Sequence, residues 1–420
     1  MEIIEQHQTF FYVLVITLGL YVTWGLGAND VANAMGTSVG SGAISVRQAL
    51  LLAGIMELCG AYLAGGEVAT TISKGIIDGS HFEAVPHLLM FGMLGALLAA
   101  GIWLMIASMR GWPVSTTHTI VGAVCGVGVA ALGFDAVNWE TTVEIVASWF
   151  ISPVLGGIVA LFVTLSIRKL IFNTVDPVAQ ARKWGPVHAF LVGWMVSLIT
   201  ISKGLQHVNV HLGSIAGQVL AVVIGIVLAS IARLMMSRVK LDQHASREFH
   251  FASVEQLFIP LMVITGAAMA FAHGSNDVAN GIAPMAAVIQ IIETQAVSPK
   301  AAVTPVMLLI GGLGIVAGLA TYGYRVMATI GRGITELTPT RGYCATIAAA
   351  LVTVAASGLG MPVSTTHIAV GAVMGVGVAR GIGALDLRVI AGILVSWFVT
   401  VPVGAILAAL TFYILRAVFG

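Results

Sequence analysis

One polar stretch occurs twice in an otherwise apolar chain, and this duplication constrains the fold more than any other feature. Residues 111–130 read GWPVSTTHTIVGAVCGVGVA and residues 360–379 read GMPVSTTHIAVGAVMGVGVA, with sixteen of twenty positions identical. A second pair repeats as well. GANDVANA at 27–34 and GSNDVANG at 274–281 share six of eight positions. Repeats separated by more than two hundred residues imply two related halves, each carrying two polar motifs in apolar surroundings.

Those surroundings are lipid-like. Hydrophobic residues make up 58% of the chain and charged residues 9%, against about 25% charged in a soluble domain. Mean hydropathy is +1.00, and apolar runs long enough to span a bilayer recur from end to end. The fold class that follows is an all-α polytopic membrane protein. Cys59, Cys125 and Cys344 show no metal-ligand spacing and imply no disulfide framework. Glu2 and Glu5 replace the basic start of a signal peptide, so the first apolar run reads as a retained span.

Twelve apolar segments are legible: 10–27, 48–72, 85–108, 114–133, 143–167, 187–202, 212–236, 254–273, 303–324, 343–359, 363–379 and 389–415. The first five and the last five match as sets. Residues 52–75 align with 310–333, and SWF at 148–150 recurs at 396–398. The chain divides into an N-terminal repeat (1–170), a central connector with two segments (171–253) and a C-terminal repeat (254–420). Equivalent segments are seven apart, an odd number of crossings, so the repeats should be inverted. With both termini outside, fifteen of the nineteen Lys and Arg residues face inward, Arg168, Arg341 and Arg380 among them. Only Lys74, Lys203, Lys300 and Arg416 face outward. That asymmetry is the positive-inside signature. The segments starting at Val114 and Val363 are the best candidates for re-entrant hairpins, since each follows a proline in a polar run.

The motifs carry the chemistry. Pro113 and Pro362 suit the first turn of a helix. Ser115, Thr116 and Thr117, and Ser364, Thr365 and Thr366, then offer hydroxyls beside free backbone amides. A helix N-terminus of this kind is an anion site. The bland alternative is an ordinary N-cap, and duplication in matching halves weighs against it. Asn29, Asp30 and Asn33, with Asn276, Asp277 and Asn280, should break their helices, because Asn and Asp favour turns and caps. A carboxylate within a membrane costs about 2.5–3.5 kcal/mol on insertion scales, so Asp30 and Asp277 read as functional. Glu57 lies mid-segment and aligns with Ile315, so packing symmetry does not require it. It reads as a cation or proton site. His118 and His367 suit either proton relay or a bond to backbone, and His273 suits a pathway lining. No nucleophile–base set, CxxC pair, HExxH or P-loop is present, which leaves an enzyme reading without support.

These two motif pairs resemble the marks of the inorganic phosphate transporter (PiT) family, over roughly 10–170 and 254–415. The resemblance implies a twelve-segment, inverted-repeat, cation–phosphate symporter. Phosphate would contact Asn29, Asp30, Ser115, Thr116 and Thr117, with Asn276, Asp277, Ser364, Thr365 and Thr366 as the symmetric set. Cations, Na⁺ or H⁺, would use Asp30, Glu57, Asn33, Asp277 and Asn280, with Na⁺ at Asp30, Glu57 and Asp277. Glu57 matches an acidic position that the family uses. Thr346 departs from the pattern, since many members have glutamate there. No cofactor is expected beyond the coupling ion. The expected partners are inorganic phosphate, Na⁺ or H⁺ and the lipid bilayer, without nucleic acid; a homodimer is compatible with them. The expected location is the cell membrane, the inner membrane if the source is bacterial. A sulfate permease of the same family is the nearest alternative. An uncoupled anion channel is weaker, because fixed carboxylates oppose an anion pore.

Overall fold

In lipid, an apolar run satisfies its backbone groups only as a helix or a closed barrel. The computed structural model describes residues 6–112, 114–202, 213–239, 247–297, 303–324, 327, 337–381 and 387–419. Pro113 lies outside them, as do Lys203, Lys240, Lys300, Arg325 and Arg332 of the charge pattern. Among the described residues the fold is all-helical, with nine helices long and apolar enough to cross a membrane.

In chain order the helices are α1 (Gln8–Gly40), α2 (Val46–Ala64), α3 (Gly66–Gly75), α4 (Pro86–Arg110), α5 (Thr116–Leu132), α6 (Trp139–Ile167) and α7 (Pro177–Ser202). Then follow α8 (Ser214–Ser237), α9 (Arg247–Thr294), α10 (Pro305–Gly318), α11 (Pro339–Gly358), α12 (Thr365–Arg380) and α13 (Leu387–Phe419). Each of the twelve apolar segments falls on one or two of these helices.

The helix breaks do not fall where the sequence places them. Asn29–Asn33 lie inside α1, and Asn276–Asn280 inside α9, with the helix continuous through both motifs. Asn and Asp disrupt a helix when their side chains bond nearby backbone. Here the side chains bond other side chains and other segments rather than the backbone of their own helix, so that competition is absent. The break lies at Gly65, between α2 and α3, where Val278 of α9 packs against the glycine.

The two PVSTTH stretches start helices as expected, but at the hydroxyl residues rather than at proline: Pro362 lies two residues before the N-cap Ser364, outside the first turn. Gly111 and Gly360 take φ values of 65° and 68°, end α4 and α11, and reverse the chain. Extended residues lead to Ser115 and Ser364, the N-caps of α5 and α12. These helices have 17 and 16 residues, so each is about 25 Å long, short of a ~30 Å hydrocarbon core. Both N-caps are buried, so both helices begin inside the protein.

The two halves exchange helices. A Cβ at Gly27 of α1 would clash with the Ile315 carbonyl of α10, and one at Gly274 of α9 with the Glu57 carbonyl of α2. These are equivalent contacts, because Ile315 aligns with Glu57. Likewise α5 packs on α13 through Gly122 and Gly126, and α12 on α6 through Gly371 and Gly375. Close backbone approach at glycine is how membrane helices pack without a hydrophobic driving force. Helices α7 and α8 pack on each other, and His188 of α7 lies 3.1 Å from the Tyr343 hydroxyl of α11.

Candidate ion and phosphate site

The polar residues of α1 and α9 meet the starts of α5 and α12 at the centre of the helix array. Asn33 donates from Nδ2 to Asp30 Oδ1 (3.2 Å) and to Thr366 Oγ1 of α12 (2.8 Å). Its equivalent, Asn280, donates to Thr116 and Thr117 of α5 at 3.4 and 3.3 Å. The bonds to α5 and α12 each join one half to the other. The Thr365 hydroxyl donates to Asp277 Oδ2 at 2.9 Å. The Ser115 and Ser364 hydroxyls accept from the amides of His118 and His367, as N-caps do. The amides of Thr116 and Thr117, and of Thr365 and Thr366, have no intrahelical acceptor at these first positions.

Asn29 and Asn276 hold the hairpins in place. Asn29 donates to Ser108 Oγ (3.3 Å) and the Trp112 carbonyl (3.2 Å). Asn276 donates to Ser357 Oγ and the Met361 carbonyl, both at 3.1 Å. Their amide groups thus tie α1 and α9 to the chain reversals that aim α5 and α12. Ser108 and Ser357 are not among the residues that the motifs single out. Their signal is positional, since they occupy equivalent places before Gly111 and Gly360.

The carboxylates gather around His273. Its Nδ1 lies 3.2 Å from Glu57 Oε1, and its Nε2 lies 3.1 Å from Asp277 Oδ2; all these side chains are fully buried. Ligand atoms of Asp30, His273 and Asp277 lie within 4.8 Å of one another. An imidazole donates from both nitrogens only when protonated. Serving two carboxylates therefore takes one proton more than the neutral ring carries, on the ring or on a carboxyl. The equivalents of His273 and Glu57 in the opposite halves are Leu26 and Ile315, both buried and apolar. The cluster is thus built on one side only of an otherwise repeated arrangement. The sequence marks Glu57 and His273 separately; the pairing joins α2 to α9 and leaves no trace in either segment alone.

Among the described residues, several buried oxygens around this cluster have no hydrogen-bond partner: Glu57 Oε2, Asn276 Oδ1, Asp277 Oδ1 and Asn280 Oδ1. Orphaned buried acceptors are costly, and carboxylate and amide oxygens are the ligands that hard cations take. Thr346 lies apart from this set. Its hydroxyl is 2.6 Å from that of Thr37, one helical turn beyond Asn33, so a neutral pair fills this position.

His118 and His367 stand next to each other, with ring centroids 4.2 Å apart. Trp149 stacks on His118 and Trp397 on His367, at 3.7 and 3.4 Å. The imidazole Nδ1 atoms approach the Trp397 and Trp149 carbonyls at 3.5 and 3.4 Å. The repeated SWF is the sequence signal for these tryptophans.

Comparison with known proteins agrees with this architecture. The phosphate transporter family model matches residues 26–408. A Haemophilus influenzae relative, named as a phosphate permease, is 45% identical over 420 residues and covers all of both chains. Inorganic phosphate transporter 2-1, chloroplastic, of Arabidopsis thaliana is 42% identical over 94% of this chain and 70% of its own. A solved structure described as the sodium-dependent phosphate transporter superposes with a TM-score of 0.90 at 36% identity. It covers 97% of this chain and 99% of that one. A match that spans both motif pairs, with relatives aligned along the whole chain, makes this protein a multi-pass membrane member of the phosphate transporter family.

Proposed function

We propose that the protein is a cation-coupled symporter of inorganic phosphate, with phosphate and cation held where the halves meet. The observation that carries this reading is the convergence of Asp30 and Asp277, from equivalent motifs, on one buried cluster beside two inward-starting helices. Phosphate is a multiply charged anion. The amides at the starts of α5 and α12 and the hydroxyls of Ser115, Thr116, Thr117, Ser364, Thr365 and Thr366 replace its water shell. Asp30 and Asp277 alone would repel it. A bound Na⁺ or H⁺ removes that repulsion, and the anion in turn strengthens cation binding, which is reciprocal coupling. Asn33, Asn280 and Glu57 complete the cation ligands. Residues 1–170 and 254–420 act as inverted repeats flanking the 171–253 connector. Rocking about their interface alternates access to the two sides. Both termini lie outside the cell membrane on this reading.

The test is uptake of labelled phosphate into proteoliposomes under separate Na⁺ and pH gradients, with sulfate as competitor. Accumulation driven by neither gradient would refute coupling, and sulfate outcompeting phosphate would refute the substrate. Two substitutions sharpen the result. Thr366→Ala removes the acceptor of the Asn33 amide and one hydroxyl from the anion site. Phosphate affinity should fall roughly 2- to 10-fold, the equivalent of one hydrogen bond. Unchanged affinity would remove Thr366 from the site. Glu57→Gln keeps shape and removes charge. Dependence on the driving cation should change far more than phosphate affinity; a loss confined to phosphate affinity would contradict the cation role.

A further inference from the structure

Away from the central site, a cavity of about 500 Å³ opens where the end of α6 meets α9, α11 and α12. Three arginines from three different elements line it: Arg168 beyond the end of α6, Arg341 in the first turn of α11 and Arg380 in the last turn of α12. Glu255 is the one acidic residue in the described lining. Its carboxylate is engaged at the start of α11, accepting from the Thr338 hydroxyl (2.9 Å) and the Thr340 amide (2.7 Å). By count, three arginines against one carboxylate, the described lining is net cationic. The remainder is mostly apolar, with Phe172 and Phe251 stacked at 5.7 Å forming one wall.

A second observation points to a ligand. Thr340 lines this cavity and is only 5% exposed, yet among the described residues its Oγ1 has no hydrogen-bond partner. A buried hydroxyl of this kind is normally satisfied. Basic residues beside an apolar wall match an amphipathic anion, and Val378, next in sequence to the lining residue Ala379, is an apolar side chain 44% exposed. Basic pockets between membrane helices on the inner side are where anionic headgroups bind. By the positive-inside rule, the arginine asymmetry assigns these residues to that side.

We propose that this cavity binds the phosphodiester headgroup of an anionic glycerophospholipid from the inner leaflet. The arginines face the phosphate, Thr340 donates to one of its oxygens, and an acyl chain lies along the phenylalanine wall. The site clamps α6, α11 and α12 at one end. It does not depend on the transport reading.

The experiment uses the full-length protein in nanodiscs of mixed phosphatidylglycerol and phosphatidylcholine, followed by mild detergent extraction and native mass spectrometry. Wild-type protein should retain phosphatidylglycerol in preference to phosphatidylcholine. Arg168→Ala with Arg380→Ala should lower retention about tenfold, and Thr340→Val alone should lower it severalfold. The melting temperature of the lipid-free protein, measured in parallel, should be similar in wild type and Thr340→Val, so this variant decides the matter even if the arginine variant folds poorly. Equal retention in wild type and Thr340→Val would overturn the proposal. So would labelled inorganic phosphate binding in phosphatidylcholine-only discs that the same substitutions abolish, because the cavity would then take free phosphate rather than lipid.

Discussion

His273→Leu is expected to abolish gradient-driven phosphate uptake and to lower the yield of folded protein sharply. The substitution installs the residue that the first half already has at the equivalent place, Leu26. It leaves Glu57 and Asp277 fully buried without the imidazole between them. Breaking a buried ion pair from one side costs about 3–5 kcal/mol, because an uncompensated charge remains. Replacing both partners with apolar groups is often neutral. The double variant His273→Leu with Glu57→Ile should therefore recover much of the folding defect, since it copies the Leu26 and Ile315 arrangement. The close backbone contacts at Gly27 and Gly274 already match. Uptake should stay lost in the double variant, because the symmetrised protein has only Asp30 and Asp277 as acids in the cluster. Monodisperse yield and melting temperature in detergent report the first effect, and proteoliposome uptake the second. Full coupled uptake in the double variant would show that the Glu57–His273 pair is dispensable scaffold.

Much of this arrangement is legible in the sequence because it is duplicated. Identity between two distant stretches separates polar residues kept for a site from those that merely cap a helix, and it locates all four motif segments without knowledge of any contact. Apolar character and length place each segment on helix, though 48–72 is split in two at Gly65. The sequence misleads locally: Asn and Asp in the NDVAN motifs look like helix breakers, which is their habit when backbone is the nearest partner. In the fold, Asn33 reaches Thr366 and Asn280 reaches Thr116, contacts between residues more than a hundred and sixty positions apart. No local rule contains them. The same reason hides the His273–Glu57 bridge and the break at Gly65, which Val278 occupies from another helix. Helix exchange between the halves also leaves no local mark, since an apolar face looks alike whichever half it packs against.

Asp30→Asn and Asp277→Asn are expected to abolish concentrative phosphate uptake, and they should do so with unequal effects on folding. A capping role would predict little loss, because Asn caps as well as Asp. That role is closed to both residues, which lie in the interiors of α1 and α9. Each carboxylate is instead furnished by side chains. Asp30 accepts from Asn33 on one oxygen and has the Thr116 hydroxyl beside it. Asp277 accepts from Thr365 and faces His273. At Asp30, asparagine keeps the oxygen that Asn33 needs and removes a charge that costs about 2.5–3.5 kcal/mol in a membrane. Folded yield should hold or rise. At Asp277, asparagine takes away one of the two carboxylates facing His273, so stability should fall. Both variants lose a charge that a coupling cation would balance. Phosphate binding to the purified Asp30→Asn protein should then depend less on Na⁺ and on pH than in the wild type, even as driven uptake disappears. Binding measured with and without Na⁺ at two pH values, beside gradient-driven uptake, separates these effects. Near-normal driven uptake in both variants would sink the coupling mechanism and leave the proposed anion site at the starts of α5 and α12 to stand on its own.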